Sequence, residues 1–380
     1  MNKQYEYVLS EKILVIIALV IILLLTEFVI ITSELLKPCN FIGREAMNDV
    51  DFFTQWMVCF EYRSLEYDSK IPIKVYTPNQ NGEFVNINSF GFRGDEISLE
   101  KDPSSYRVMI VGGSTTFGIP STSDSATIPA YLEKIFHNDG LDFVEVINAG
   151  VSGHNSLSEA FYIKEKLVKF EPDLIIMIDG GNDVHDRISP TKLVKSDDLV
   201  TYYENKEKQD TRVTGIKSFV YDMNYKTGQL LIEYFNSQFK EKKSYSSESY
   251  GTYTEIVNSV TIRNWIDVCE YGKNNGFSTI PILQPILGIS ERNITPDEEK
   301  IEITDYGFNT IKYLKNIPLD DTVLNNSCEM IIDARNAFSE IDESIYLDSI
   351  HSNEFSNQIM AGKIYEKLKP FVIAKSTLES

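Results

Sequence analysis

Histidine is scarce in this chain of 380 residues, with four in all: His137, His154, His185 and His351. Any chemistry that needs an imidazole must use one of them. Cysteine is as scarce. Cys39, Cys59, Cys269 and Cys328 form no Cys-x-x-Cys pair, which excludes the usual structural zinc patterns. An even number permits two disulfides outside the cytoplasm, and four buried thiols fit the sequence equally. Positive charge is in deficit, with 36 Lys and Arg against 56 Asp and Glu and a net charge of −20. Phosphate backbones need clustered Lys and Arg, so nucleic acid is excluded as the main partner. Docking on anionic lipid through a basic patch is excluded on the same ground. Glycine, at 20, and proline, at 13, are too few for collagen-like or low-complexity material. Apolar matter is present in quantity: 42% of residues are hydrophobic and 12% aromatic. That is enough to build a core, in one large domain or two ordinary ones.

The longest apolar run lies near the start. Ile13–Leu25 is unbroken, and the apolar pattern resumes after Thr26 and Glu27 as far as Leu36. As a helix, residues 13–36 would reach roughly 36 Å, enough to cross a hydrocarbon core of about 30 Å. Glu27 and Glu34 fall toward its C-terminal end, near the interface, where charge costs less. A cleaved signal peptide has an apolar core of similar length, but no small-x-small cleavage site follows this run. The expectation is a 12-residue tail, a single transmembrane helix at 13–36 and an extracytoplasmic body. Lys3 and Lys12 before the span balance Lys37 and Arg44 after it, so orientation rests on the short leading tail.

Residues 37–100 form an aromatic-rich connecting region. A βα rhythm then begins within a domain expected over 101–376. Strands are predicted at Arg107–Val111, Val144–Ile147, Leu174–Ile178, Thr279–Leu283 and Met330–Ile332. Helices are predicted at Thr127–His137, Ser156–Phe170, Glu255–Asn274, Pro296–Leu314 and Glu354–Leu368. Ser156 and Glu159 are placed to form a capping box. Continuous apolar strands separated by helices indicate an α/β fold, a parallel sheet covered on both faces. A polar stretch at about 187–253 interrupts the rhythm and reads as a lid or as inert decoration.

Four short motifs fall at the predicted strand ends or before the last helix. Ser114 follows two glycines in Val111-Gly-Gly-Ser-Thr-Thr-Phe-Gly118. Such a turn projects a hydroxyl from the carboxyl edge of the sheet, where open α/β sheets place ligands; a plain N-cap serine would look the same. Gly153 closes Asn148-Ala-Gly-Val-Ser-Gly153 and offers an unobstructed N–H. Asn182, in Asp179-Gly-Gly-Asn-Asp183, carries an amide donor that would reach an oxyanion or serve only an Asx-turn. Asp348 and His351 are three apart, a spacing that puts both on one side of a helical turn. A histidine that takes a serine proton needs its other ring nitrogen held by an acceptor, and Asp348 is the nearest one. His154 and His185 also neighbour these motifs, whereas His137 ends a polar helix.

The four motifs, in this order, resemble the four blocks of the SGNH hydrolase family, the GDSL-like esterases. The likeness covers roughly residues 86–372, with a gap at the polar insertion. Its first block departs from the literal pattern, reading Gly-Gly-Ser-Thr where the family name spells Gly-Asp-Ser-Leu, which leaves the subfamily open. The resemblance implies a flavodoxin-like three-layer α/β/α fold. It also implies that Ser114 is the nucleophile, His351 the general base and Asp348 the residue that orients it. The Ser114 N–H, the Gly153 N–H and the Asn182 side chain would form the oxyanion hole. No metal or organic cofactor is called for.

Asn86–Glu96, with Gly-Phe-Arg-Gly, resembles a segment that precedes the first block in envelope-associated members. Its Arg93 would pair with a carboxylate of the fold or meet an acidic substrate. Together with the apolar span, the resemblance implies a membrane-tethered esterase acting on O-acyl groups, acetyl above all, of an envelope glycan or other small ester. Acyl transfer through the same residues, and a catalytically silent assembly module, are the alternatives.

Overall fold

The computed structural model describes residues 13–22, 24–26, 38–68, 73–185, 247–301 and 305–376. The chain divides into two compact units, one of residues 39–203 and 246–380, the other of 1–38 and 204–245. In the second, the described residues 13–22 and 24–26 are helical, with exposed apolar side chains. No helix among the described residues is long and apolar enough to cross a membrane. Position 23 and positions 27–36 of the expected span, and 187–246 of the polar stretch, lie outside the described residues.

The larger unit is built on one sheet. Its strands are β1 (Tyr106–Gly112), β2 (Val144–Asn148), β3 (Leu174–Asp179), β4 (Ser278–Leu283) and β5 (Ile332–Asp333). They lie in the order β2-β1-β3-β4-β5, every neighbouring pair parallel. That is the flavodoxin-like order, in which the chain reverses its winding beside β1 and leaves a crevice there. All residues of β1 and β3 are buried, which is why their stretches Val108–Val111 and Leu174–Ile178 read as unbroken apolar runs. Alternation assigns their two faces. Val108 and Ile110 join one apolar cluster with Leu132 and Phe136 of α3 (Ile128–Asn138) and Ile364 and Leu368 of α9 (Glu354–Ser376). Met109 and Val111 join the other, with Phe161 of α4 (Ser156–Glu165), Trp265 of α6 (Ser247–Asn275) and Leu314 of α7 (Asp305–Asn316). The result is three layers, as the resemblance implies.

From Cys39 onward, the region before the sheet packs into this same core. Phe41, Val58, Tyr76, Ile87 and Phe92 are buried in the second cluster, and α1 (Phe52–Ser64) is held by a Cys39–Cys59 disulfide. A second disulfide, Cys269–Cys328, ties α6 to the end of α8 (Thr322–Ser327). Three local expectations change. The cap of α4 is Asn155, paired reciprocally with Ser158 rather than Ser156 with Glu159, because the Asn155 carboxamide reaches the Ser158 N–H one position earlier. The predicted helix at Pro296–Leu314 is a short turn at Glu298–Lys300 followed by α7. Asp348 and His351 lie in a loop, not a helical turn, pinched by a Tyr346–Ser352 bridge.

Candidate active site

Ser114 begins α2 (Ser114–Phe117) immediately beyond β1. The glycines before it are required by close approach. A Cβ on Gly112 would fall 2.0 Å from Thr116 Oγ1, and one on Gly113 would fall 2.4 Å from Asn182 Nδ2. The strand can therefore turn sharply, and the hydroxyl emerges at the crevice beside Asn182. His351 reaches it from the far end of the chain, with Ser114 Oγ 2.6 Å from His351 Nε2. On the other side of the ring, Nδ1 lies 2.8 Å from Asp348 Oδ2. Asp348 Oδ1 accepts the N–H groups of Ile350 at 2.8 Å and His351 at 2.7 Å. This loop thus fixes the carboxylate by backbone bonds that a helix would have spent on its own ladder.

Electrostatics follow from that geometry. Burial raises the Asp348 pKa, but the charge and hydrogen bonds of His351 outweigh it and hold the carboxyl down to about 2. Burial lowers the imidazole pKa, and the Asp348 carboxylate more than offsets it, leaving His351 above its ordinary 6.5. With Asp348 ionised, Nδ1 carries the ring proton and Nε2 presents a lone pair to the serine hydroxyl.

No family model matches the chain, and no curated protein matches it. Among solved structures it is similar to TesA, at 14% identity over 70% of this chain and 98% of that one, with a TM-score of 0.40. It is similar to an acetyl xylan esterase, AlAXEase, at 13% identity over 69% of this chain and 99% of that one, with a TM-score of 0.37. A GDSL-like lipase from Bacteroides thetaiotaomicron shares 13% identity over 70% of this chain and 88% of its own, with a TM-score of 0.37. Likenesses this distant leave the chemistry to be read from the side chains.

Asn182 stands in the first turn of α5 (Gly181–His185), just beyond β3. One N–H of its amide donates to the His154 carbonyl at 2.7 Å, leaving the second for the cavity beside Ser114, which Asn182 lines. Gly153 adopts a left-handed turn with φ 86° next to His154. It is not among the residues that line that cavity. The His154 ring turns away, its Nε2 donating to the Lys74 carbonyl at 2.6 Å, and burial pushes its pKa down to about 4. His137 is exposed and donates from Nε2 to the Val144 carbonyl at 2.8 Å. The His185 side chain lies outside the described residues.

Three features went unread in the sequence. The cavity beside Ser114 is small, about 10 Å³, and Thr115, Gly181, Gln284 and Ile350 line it as well. Gln284 follows β4 at the carboxyl edge and accepts from the Thr115 hydroxyl at 3.0 Å. A polar residue ending an apolar strand was its only signal. A Cβ on Gly181 would come within 2.9 Å of Ile350 and 3.1 Å of Gln284 Nε2, so this glycine keeps the space open. Behind Asn182, the buried Asp183 accepts from Thr261 at 3.0 Å and from Ser156. These bonds fix the Asn182 turn to α6 and α4. Finally, burial, then the neighbouring charge of Asp183, pushes Asp179 up to about 8, while Trp265 donates to its Oδ2 at 2.7 Å.

Proposed function

We propose that the protein is a serine-dependent carboxylic ester hydrolase that removes small O-acyl groups, acetyl above all, from a cell-envelope glycan or glycoconjugate. In this reading residues 13–36 tether it to a membrane, with the body outside the cytoplasm. The observation that carries the chemistry is the unbroken line from Ser114 Oγ through His351 to Asp348, at 2.6 and 2.8 Å. A silent assembly module would have no use for that alignment.

Ser114 Oγ attacks the ester carbonyl carbon as His351 Nε2 takes its proton. The carbonyl oxygen becomes an oxyanion, which the N–H of Ser114 and the amide of Asn182, both at the cavity, stabilise, with the Gly153 N–H as the third donor that the resemblance implies. Collapse expels the alcohol, which leaves with the proton from His351. The acyl-serine remains, and water, deprotonated by the same imidazole, releases the acid. Asp348 keeps its charge throughout and favours the imidazolium. The size of the cavity supports a short acyl group, since about 10 Å³ holds roughly one water-sized body. Two disulfides support an oxidising compartment.

The full chain in detergent is expected to release acetate from an aryl acetate and to lose this with Ser114→Ala. Rates should fall steeply from acetyl to hexanoyl esters. Equal turnover by the variant and the parent would overturn the assignment.

A further inference from the structure

Helix α1 has an outer face that folding alone does not explain. Its inner side is committed: Gln55, Val58 and Cys59 are buried, and the Gln55 side chain bonds Gly43, Met47 and Val50. Its outer side carries Phe52, 63% exposed, Phe53, 73% exposed, Met57 and Phe60, with Trp56 half-buried against Phe52. Positions 53, 57 and 60 follow the i, i+4, i+7 spacing of one helical stripe, and 52 and 56 run beside them. Other exposed large apolar residues, such as Leu99, Ile294, Val323 and Phe355, occur singly on separate elements, which is ordinary for a surface. No Asp, Glu, Lys or Arg occurs between Phe52 and Phe60.

Covalent connectivity says what covers this face. The apolar run ends at Leu36, and Cys39 follows three residues later. Three residues span at most about 11 Å. Cys39 is bonded to Cys59 of α1, with the two Cα atoms 5.9 Å apart. A membrane span ending at Leu36 therefore emerges within roughly 17 Å of the middle of α1. The helix itself is only about 20 Å long. Phenylalanine and tryptophan favour the boundary between headgroups and acyl chains, where a helix lying in the plane buries its apolar face by about 5–10 Å.

From this we infer that the outer face of α1, Phe52, Phe53, Trp56, Met57 and Phe60, lies in the interface of the bilayer that residues 13–36 enter. The contact is apolar and needs no anionic lipid, in keeping with a chain of charge −20. It also sets the height of the candidate site. The last turn of α1 holds Tyr62, whose hydroxyl donates to the carbonyls of Gly118 at 2.6 Å and Ser121 at 3.0 Å, just beyond the helix that begins at Ser114. Lying α1 on the membrane would fix the serine against membrane-proximal esters.

The inference rests on the tether in the proposed function, and the test separates the two. Trp56 and Trp265 are the only tryptophans, and Trp265 is fully buried in the body. The full chain and its Trp56→Phe variant are reconstituted in phosphatidylcholine vesicles, with and without lipid brominated near the headgroup. The parent should lose the Trp56 share of its emission to the bromines, and the variant should lose nothing. Equal quenching of both while the protein resists an alkaline carbonate wash overturns the docking of α1 and leaves the tether standing. Release by the wash overturns both. Protection of Trp56 from aqueous acrylamide only at high protein concentration, without bromine quenching, would assign the face to a second copy and overturn the inference. Aryl acetate hydrolysis is read alongside and reports on the esterase assignment independently.

Discussion

Hydrogen bonds decide the role of each polar side chain near Ser114. Asn182 spends one N–H on the His154 carbonyl, which holds the amide over Gly113, and the proposed mechanism uses its other N–H as a donor fixed before the reaction. Asn182→Ala should lower kcat by roughly two to three orders of magnitude with little change in Tm, since losing one oxyanion donor costs about 3–4 kcal/mol of transition-state stabilisation. Single-turnover kinetics and a melting curve check both halves. In the proposed mechanism His351 acts as a base only when neutral. Its pKa stands above 6.5 because the Asp348 charge outweighs burial. The ratio kcat/KM should therefore rise with pH through one ionisation above 6.5. Asp348→Asn removes the charge that raises this pKa. The ascending limb should then move to lower pH and the plateau fall by about 10⁴-fold, as the wrong ring nitrogen carries the proton. A pH–rate profile of the two proteins tests the direction of the shift.

Elements hold these side chains in place through a buried cation. The Arg93 side chain is fully buried, and its Nε donates to Asp124 at 2.8 Å. Its Nη1 donates to Tyr62 Oη at 2.6 Å and to the Phe117 and Gly118 carbonyls, both at 3.0 Å. Nη2 donates to Phe84 and Ser123. Those two Nη1 carbonyls end the helix that Ser114 begins, where a short helix leaves its acceptors unsatisfied. The pairing with a fold carboxylate expected for Arg93 is found, and the same guanidinium latches α1 to α2. Arg93→Met should destabilise the fold by about 3–5 kcal/mol, because the half-buried Asp124 carboxylate and several carbonyls lose their donor together. Chemical denaturation measures the loss, and any activity remaining below the new Tm should keep the parent pH profile.

At the scale of the molecule, two disulfides staple separate segments of the larger unit. Cys39–Cys59 closes a separation of 20 residues and Cys269–Cys328 one of 59. Loop closure makes them worth roughly 3 and 4 kcal/mol respectively through the unfolded chain. Reduction with dithiothreitol should lower Tm clearly, and Cys269→Ser with Cys328→Ser should reproduce the larger share of that fall. A Tm insensitive to reductant would count against the pairing.

Much of this was legible from local order alone. The unbroken apolar runs at 108–111 and 174–178 point to the strands and the parallel sheet, because a strand buried on both faces has no polar alternation to show. Ser114 and Asn182 are legible as residue types at strand ends, where the topology must place ligands, and the Asp348/His351 pair as an acceptor and an imidazole three apart before the last helix. The Asp348 spacing and the resemblance single out His351 among four histidines, and tertiary structure alone brings it to Ser114, since 237 residues separate the two and no local rule reaches that far. Tertiary structure alone also chose disulfides over free thiols, set the loop that replaces the expected helical turn, and brought Gln284 and Ile350 to the cavity wall. Sequence patterns report what each segment buries. Which segments meet is decided by the packing of the whole chain, and the pairing of a base with its nucleophile and the size of a cavity are properties of those meetings.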